Sequence, residues 1–160
     1  MFRRRLLKDI GVSSSDSVDA KCPQCGHLMA DMGLDFKAPR QKDIKAWAHI
    51  QDLYSVGITF HSCGCSGPGY IPKNREEILK QLESTKSIYI NHIRLWSNIE
   101  LPDTKAEFES FNQKNAYKII GALPEALYQK YKKRVLEKEI AVTYWSEKLN
   151  QIDKYIETIR

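Results

Sequence analysis

The four cysteines of this 160-residue chain form two tight pairs, Cys22-Pro-Gln-Cys25 followed by Gly26, and Cys63-Gly-Cys65. Two cysteines two or three positions apart on a tight turn can direct both sulfurs at one point, and a second such turn completes a tetrahedron. Glycine in each turn lets the backbone fold over the sulfurs without a side-chain clash. The spacing therefore predicts one structural Zn2+ per chain, held by Cys22, Cys25, Cys63 and Cys65, with no open position for a water.

Alternatives to this ligand set are open at the second pair, which has one intervening residue where two to four are usual. His27 and His61 flank the two pairs, and either could replace Cys63 or Cys65 as a ligand. An iron site would also use two thiolate pairs, but its second turn is expected to resemble the first. Four free or disulfide-bonded thiols are the remaining alternative, and disulfides need an oxidising compartment.

Over residues 20–72 the two cysteine turns, Cys22-Pro-Gln-Cys25-Gly26 and Cys63-Gly-Cys65, resemble those of zinc-ribbon (treble-clef-like) domains. The resemblance implies that the same four cysteines are the ligands and that the metal is structural. Domains of this kind often dock on nucleic acid or on large nucleoprotein machines, and others serve only as structural clips.

The segment between the two pairs has the pattern of a helix between two strands. Apolar residues recur at three-to-four spacing over residues 41–56, which predicts a helix, and Gly57 is its stop signal. Short β-type runs at 27–36 and 57–61 predict the two strands. We expect Trp47 to pack over the metal site, because a metal clip alone leaves a small module little core.

Three helices are predicted after Pro72. The first begins at an Asn74 cap and runs to about residue 98. The second opens with the Thr104–Glu107 capping box and stops at Gly121. The third follows Pro124 as one continuous helix to the C-terminal end, with a heptad-like stripe about 55 Å long.

The predicted fold class is α+β: a small zinc-ribbon-like module with an inserted helix, followed by an all-α three-helix bundle or long helical hairpin. The two helices whose stripes are of comparable length should lie side by side. A homodimeric coiled coil is the alternative for the long stripe, although its ring-bearing seam residues favour a bundle. The predicted domains are a basic flexible arm and linker (1–20), a zinc-binding module (21–72) and a helical domain (73–160).

The net charge of +5 comes from clustered basic residues. A flexible basic arm ahead of a zinc module suits phosphate contacts, which give salt-dependent affinity without sequence preference. A further basic cluster at residues 130–134 is more typical of an ordinary solvated helix face. The predicted nucleic-acid-binding residues are therefore Arg3, Arg4, Arg5, Lys37, Arg40, Lys42 and Lys45.

The motifs of common enzyme classes do not occur in the sequence. We find no phosphate-binding loop, no His-Glu-x-x-His motif, no serine elbow and no zinc-deaminase signature. The first ten residues lack the apolar core of a signal peptide, and no run approaches the roughly 20 apolar residues of a membrane span. We therefore expect a cytoplasmic protein that is not an enzyme and has no membrane partner.

The sequence thus predicts a non-catalytic structural-zinc protein acting as a nucleic-acid-binding or nucleoprotein-associated factor, either a monomer or a homodimer. The alternative is a protein–protein adaptor or assembly subunit that uses its long helices to bind a partner, with the zinc site purely structural.

Overall fold

The computed structural model describes residues 2–3 (backbone only), 20–61, 67–102 and 104–160. Most of the described residues are helical. The helices are α1 (Ile44–Ser55), α2 (Arg75–Asn98), α3 (Lys105–Gly121), α4 (Glu125–Lys132) and α5 (Lys138–Ile159). Two short strands, β1 (Phe2–Arg3) and β2 (Ala30–Asp31), pair in parallel.

The chain forms two compact units. The first, unit 1, covers Met1–Lys80 together with Thr158–Arg160, and the second, unit 2, covers Gln81–Glu157. The division falls within α2, eight residues after the boundary at residue 72 that the sequence predicts, and residues 158–160 cluster with unit 1.

Helix α1 confirms the helix predicted between the two cysteine pairs. The Asp43 side chain caps its start, since Oδ1 accepts the Ala46 N–H at 3.0 Å. At its end the N–H of Gly57 donates to the Tyr54 carbonyl and the N–H of Ile58 to the Leu53 carbonyl. Gly57 has a φ of +78°, so this is the left-handed glycine stop that the sequence predicts.

The predicted starts of the next two helices are also confirmed. Asn74 Oδ1 accepts the Glu77 N–H at 2.9 Å at the beginning of α2. At α3 the Thr104 hydroxyl donates to the Glu107 carboxylate at 2.7 Å, and the Glu107 N–H returns to Thr104 Oγ1 at 3.4 Å. Helix α3 ends at Gly121, as expected.

The prediction of one continuous C-terminal helix is wrong. Helix α4 ends in a Schellman turn, in which the Val135 N–H donates to the Lys130 carbonyl at 3.1 Å and the Arg134 N–H to the Tyr131 carbonyl at 2.8 Å. Arg134 adopts a φ of 59° there. The turn buries Tyr131 and Leu136 while leaving Val135 exposed, so one stripe becomes two helices. The helical region therefore contains four helices instead of three.

Helices α2 and α5 pack side by side in unit 2, as the length of their stripes predicts. The rings of Tyr89 and His92 on α2 contact Trp145 on α5, with centroid distances of 5.1 and 4.5 Å. Lys86 Nζ lies 2.6 Å from Asp153 Oδ1 farther along the same pair. Around this contact is an aromatic core with Trp96, Phe108, Ile119, Ala122, Tyr131 and Leu136.

The described part of unit 1 contains no zinc-ribbon sheet, which corrects the finer prediction for that module. Only the two-residue strand β2 forms within 27–36, and residues 57–61 form no strand. Phe60 instead makes two isolated backbone bonds, from its N–H to the Met32 carbonyl (2.8 Å) and from the Asp35 N–H to its own carbonyl (3.2 Å). Gly33, with a φ of +86°, turns the chain between these bonds and interrupts a regular ladder.

None of the helices in the described ranges combines the length and apolarity that a membrane crossing needs.

Candidate metal centre and basic surface

The first cysteine pair lies in a short hairpin-like turn. Its stem is formed by an isolated antiparallel bridge between Lys21 and Leu28, and the Cys22 N–H donates to the His27 carbonyl at 2.8 Å. Inside the turn the Gly26 N–H donates to the Cys22 carbonyl at 2.8 Å. Gly26 has a φ of +71°, which a residue with a side chain adopts only with strain. Glycine is favoured here by its backbone conformation, whereas a Cβ at Gly26 would meet no described atom within 4 Å, so the predicted avoidance of a side-chain clash is not observed.

The sulfur of Cys22 is held by backbone donors. The Gln24 N–H points at Cys22 Sγ from 3.4 Å. The Cys25 N–H and then the Gln24 N–H stabilise the thiolate, and they lower the pKa of Cys22 below its ordinary value. Cys22 is buried at 3% exposure, whereas Cys25 is exposed. Metals bind the thiolate form of cysteine, so this environment of Cys22 suits a metal ligand.

The other two predicted ligands, Cys63 and Cys65, lie outside the described residues. Among the residues that are described, no group of three or more His, Cys, Asp or Glu side chains is arranged to hold a metal ion. The four-cysteine ligand set therefore stays a prediction, supported on one side by the geometry of the Cys22–Cys25 turn.

Residues 60–61, which precede the second cysteine pair, pack tightly against Gly33, which follows the first pair. A Cβ atom on Gly33 would come within 2.6 Å of the Phe60 carbonyl group and the His61 nitrogen, so only glycine permits this approach. His61 Nε2 lies 3.6 Å from Asp31 Oδ1.

Both ring nitrogens of His61 face protein groups. Nδ1 lies 2.8 Å from Thr59 Oγ1, and Nε2 faces the Asp31 carboxylate. A histidine ligand needs one nitrogen for the metal, so His61 would have to release Thr59 or Asp31 to replace a cysteine. His27 is exposed, and its carbonyl oxygen closes the first turn. The geometry therefore favours cysteines over either histidine.

The segment that follows the second pair is anchored to α1, a feature that sequence reasoning missed. Arg75 donates two hydrogen bonds to Asp52, from Nε at 2.7 Å and from Nη2 at 2.9 Å. His49 Nε2 lies 2.9 Å from the Pro72 carbonyl oxygen. These partners are 23 residues apart, and no local pattern in the sequence indicates the pairing. The chain is thus fixed within unit 1 both before and after the second cysteine pair.

The same segment is fixed internally by Glu77. The Tyr70 hydroxyl donates to Glu77 Oε2 at 2.6 Å, and the Lys73 N–H donates to the same oxygen at 2.9 Å. These bonds, the Tyr70 bond first, lower the pKa of Glu77. Glu77 therefore stays ionised and holds the turn that precedes α2.

One buried hydrogen-bond acceptor, near the contact between Gly33 and residues 60–61, lacks a partner among the described residues. Asp35 Oδ2 is buried without a hydrogen bond there, in the same residue whose N–H donates to the Phe60 carbonyl. A buried carboxylate oxygen without a donor is costly.

The basic residues predicted between the cysteine pairs are all exposed. Lys37, Arg40, Lys42 and Lys45 lie on the loop before α1 and on its first turn, which we call the basic loop. Asp43 is the only acid among residues 37–45, and its carboxylate is engaged as the cap of α1. The side chain of Arg3 and all of Arg4 and Arg5 lie outside the described residues.

Trp47 ties the basic loop to α1. Its indole N–H donates to the Arg40 carbonyl oxygen at 3.1 Å, and its side chain is half-buried. The expected packing of Trp47 over the metal stays a prediction, because two of the four ligands are not described. Its observed role is to hold the loop that carries Arg40 and Lys42.

No family model matches the chain, and no curated protein or solved structure is significantly similar to it.

Proposed function

We propose that this chain is a non-catalytic structural-zinc protein that binds nucleic acid or a nucleoprotein complex through a basic surface beside the zinc. The observation that carries the proposal is the Cys22–Cys25 turn, with backbone N–H groups directed at a buried sulfur and a left-handed Gly26. The zinc is held by Cys22, Cys25, Cys63 and Cys65, and it serves to fix the loops of unit 1.

Zinc at this position would supplement the small apolar core of unit 1. The described residues of unit 1 offer a modest apolar core that includes Met32, Phe36, Ile50 and Leu53. Small modules of this kind need a metal or disulfides in addition to such a core. A closed four-thiolate site stabilises the fold, and it has no position for a reacting water.

The basic loop is the surface on which nucleic acid binds in this proposal. Four exposed cations lie within nine residues, on a loop that Asp43 and Trp47 hold in place. The side chains of Lys42 and Lys45 neutralise phosphates and release counterions, which gives affinity that falls with salt. Arg3, Arg4 and Arg5 supply further phosphate contacts.

The test is fluorescence anisotropy with a labelled single-stranded RNA and a labelled DNA duplex, measured between 50 and 200 mM salt. Replacing both Lys42 and Lys45 by alanine should weaken binding and reduce the slope of log K against log salt by about two. The matched control is Lys148→Ala with Lys154→Ala, two exposed lysines on α5. Salt-insensitive binding, or equal losses from both pairs, would contradict the nucleic-acid proposal.

A second candidate function is a protein–protein adaptor, and one observation favours it. Helix α3 exposes Tyr117 (96%) and Ile120 (55%) three residues apart, on one side of the helix. A groove of about 390 Å3 lies nearby, lined by residues of α2 and α3 that include Leu95, Phe111 and Lys118. Exposed apolar patches of this kind often mark protein contacts.

The adaptor proposal predicts a complex that survives nuclease treatment. Native mass spectrometry of the purified protein would then show a protein partner, which dissociates when Tyr117 and Ile120 are both replaced by serine. If the complex is lost on nuclease treatment and the serine variant behaves as wild type, the nucleic-acid function is the better supported.

A further inference from the structure

Helix α3 carries apolar residues on two opposite faces. One face belongs to the core of unit 2, where Phe108 and Ile119 are buried. The opposite face carries Tyr117, which is 96% exposed, and Ile120, which is 55% exposed. A helix with one apolar face needs one packing partner, and a helix that is apolar on two faces needs a second one. Within the described part of the chain, the second face is open to solvent.

The second face is an uncharged stripe along the helix. Its members follow one another at alternating spacings of four and three residues, the heptad spacing by which one helix packs along another. All five are exposed, and they are Ala106, Ser110, Gln113, Tyr117 and Ile120, which we call the α3 stripe. The solvated face of a helix usually carries charged residues, and this stripe has none. It therefore has the composition of a helix–helix contact.

The α3 stripe is small at one end and large at the other. Ala106 and Ser110 precede Gln113, whereas Tyr117 and Ile120 follow it. A second copy that packs antiparallel about a two-fold axis at Gln113 presents the same stripe in reverse order. Ile120 of each copy then lies against Ala106 of the other, and Tyr117 lies likewise against Ser110. A parallel pair would instead set large residues against large ones and small residues against small ones.

The charges beside the stripe are reversed in the same way. Glu107 and Lys118 are exposed and three full turns apart, so they lie on the same side of the helix. In the antiparallel pair, Lys118 of one copy lies level with Glu107 of the other, to within about 1.5 Å along the axis. Lys118 forms no ion pair with a described residue, and Glu107 bonds Thr104 through Oε2 alone. The two-fold axis forms this complementary charge pair twice.

One contact in the antiparallel pair is unfavourable, and it makes the arrangement distinctive. Lys114 lies directly beside Gln113 on the same side as Glu107 and Lys118. The two-fold axis therefore brings Lys114 of one copy level with Lys114 of the other, to within about 3 Å along the axis. Like charges this close weaken an association. Removal of the Lys114 charge should therefore strengthen the pair.

We propose that the α3 stripe binds the α3 stripe of a second copy of this chain, antiparallel about Gln113. The match of large with small residues, and of Glu107 with Lys118, selects a second copy as the occupant. The inference goes beyond the zinc and nucleic-acid proposal, since it uses none of those residues. It names the occupant of the face on which the adaptor candidate rests. A single helix pair is a small interface, so we expect a weak dimer that forms at micromolar concentrations.

The experiment is sedimentation equilibrium of the nuclease-treated full chain at about 1 to 500 μM, a range that spans the dissociation constants of small interfaces. We expect a monomer–dimer equilibrium. Tyr117→Ser combined with Ile120→Ser should raise the dissociation constant at least about tenfold. The matched control, Val135→Ser with Ile140→Ser, changes two exposed apolar residues outside α3 and should keep the wild-type constant. A monomer at every concentration, or a dimer that both pairs of changes leave intact, would overturn the proposal.

A double-mutant cycle tests the charge pair. Glu107→Gln keeps the capping bond to Thr104, and Lys118→Gln removes the opposite charge. The two residues are about 16 Å apart along one helix, so they cannot touch within one copy. Each single change should weaken the dimer about two- to tenfold, and the double change should weaken it no further than either one. Additive losses would contradict the antiparallel register.

Lys114→Gln has the opposite expected sign. It should strengthen the dimer about two- to fivefold, because the like-charge contact across the axis is removed. Lys130→Gln, which changes an exposed lysine of α4 and lowers the net charge equally, should leave the dissociation constant unchanged. Weaker or unchanged association in Lys114→Gln would contradict a two-fold axis at Gln113. Zinc content and nucleic-acid binding are measured separately, so failure of the dimer is distinguishable from failure of the proposed function.

Discussion

Trp96 and Trp145 donate their indole N–H groups to the same acceptor, the backbone carbonyl oxygen of Ala122, each at 2.9 Å. Trp96 lies on α2, Trp145 on α5, and Ala122 directly follows α3. All three residues are buried. A carbonyl oxygen has two lone pairs, so one buried acceptor joins two helices of unit 2 to the end of a third.

The shared acceptor predicts that the two tryptophans are energetically coupled. Trp96→Phe or Trp145→Phe alone should cost about 1–2 kcal/mol, because the Ala122 carbonyl keeps the other indole. The double variant leaves that buried carbonyl without either donor, so its loss should exceed the sum of the single losses by about 1–3 kcal/mol. Urea denaturation followed by circular dichroism measures all four proteins.

The control for this double-mutant cycle combines Trp96→Phe with Trp47→Phe. Trp47 also donates to a backbone carbonyl, but to that of Arg40 in unit 1, so the two losses should add. Additive losses in the Trp96 and Trp145 pair as well would show that the shared acceptor does not couple them.

Gly33→Ala should destabilise unit 1 more than a glycine-to-alanine change at a position with open space around it. The new Cβ would clash with the backbone of Phe60 and His61 at 2.6 Å, and the φ of +86° adds strain. We expect a loss of at least about 3 kcal/mol and faster release of the proposed zinc to a chelator. Gly69→Ala has a similar φ of +78° with no atom within 4 Å of its Cβ, so it isolates the strain.

The outcome is measured as thermal denaturation and as the rate of zinc transfer to a coloured chelator. Gly69→Ala should lose about 1–2 kcal/mol and keep the zinc. If Gly33→Ala behaves like Gly69→Ala, the close approach of residues 60–61 to the first cysteine turn is not needed for the site.

His92 should make unit 2 less stable as the pH falls. Burial lowers the pKa of His92 below its ordinary value of 6.5, and its ring packs at a tilt against Trp145. Below about pH 6.5 the unfolded chain therefore takes up a proton more readily than the folded one, so this contribution to stability is present above that pH. It is lost as the pH falls from 6.5 toward the lowered pKa of the folded state.

The measurement compares the melting temperatures of wild type and His92→Phe at pH 7.5 and pH 5.5. The phenylalanine variant keeps a ring on Trp145 and should lose less stability on acidification. His27→Gln, which changes an exposed histidine in unit 1, should follow the wild type. Equal pH dependence in His92→Phe and wild type would contradict this origin of the acid sensitivity.

Local signals in the sequence were sufficient for the end of α1, the start of α2, and the start and end of α3. Asn74, Thr104, Gly57 and Gly121 each act on backbone groups within a few residues, so their effects can be read without knowing the fold. The side-by-side packing of α2 and α5 also followed, because the length of an apolar stripe limits its possible partners.

The features that the sequence did not reveal depend on contacts between distant residues. Residues 133–137 contain no glycine or proline, so the break between α4 and α5 has no local signal. Arg134 takes a position that is usual for glycine. The burial of Tyr131 and Leu136 in the core decides where the helix breaks, against the continuous apolar stripe in the sequence. Likewise, the Asp52–Arg75 pair and the approach of Phe60 to Met32 are set by the fold of unit 1.

The candidate site was predicted at the level of residue types. The spacing of Cys22 and Cys25 identified a turn whose observed hydrogen bonds fit a metal ligand pair. The spacing could not show that Gly33, which has no Cβ, lets the backbone of His61 come close to it. Such a close approach of two chain segments is visible only in the three-dimensional structure.

Native mass spectrometry of the purified wild-type protein, with Cys22→Ser and Cys63→Ser variants beside it, tests the central claim most directly. Our proposal predicts one zinc ion per wild-type chain, and loss of that zinc from each variant along with reduced helicity of unit 1. Wild-type protein without metal, or a Cys63→Ser variant that keeps both its zinc and its fold, would contradict the four-cysteine zinc site.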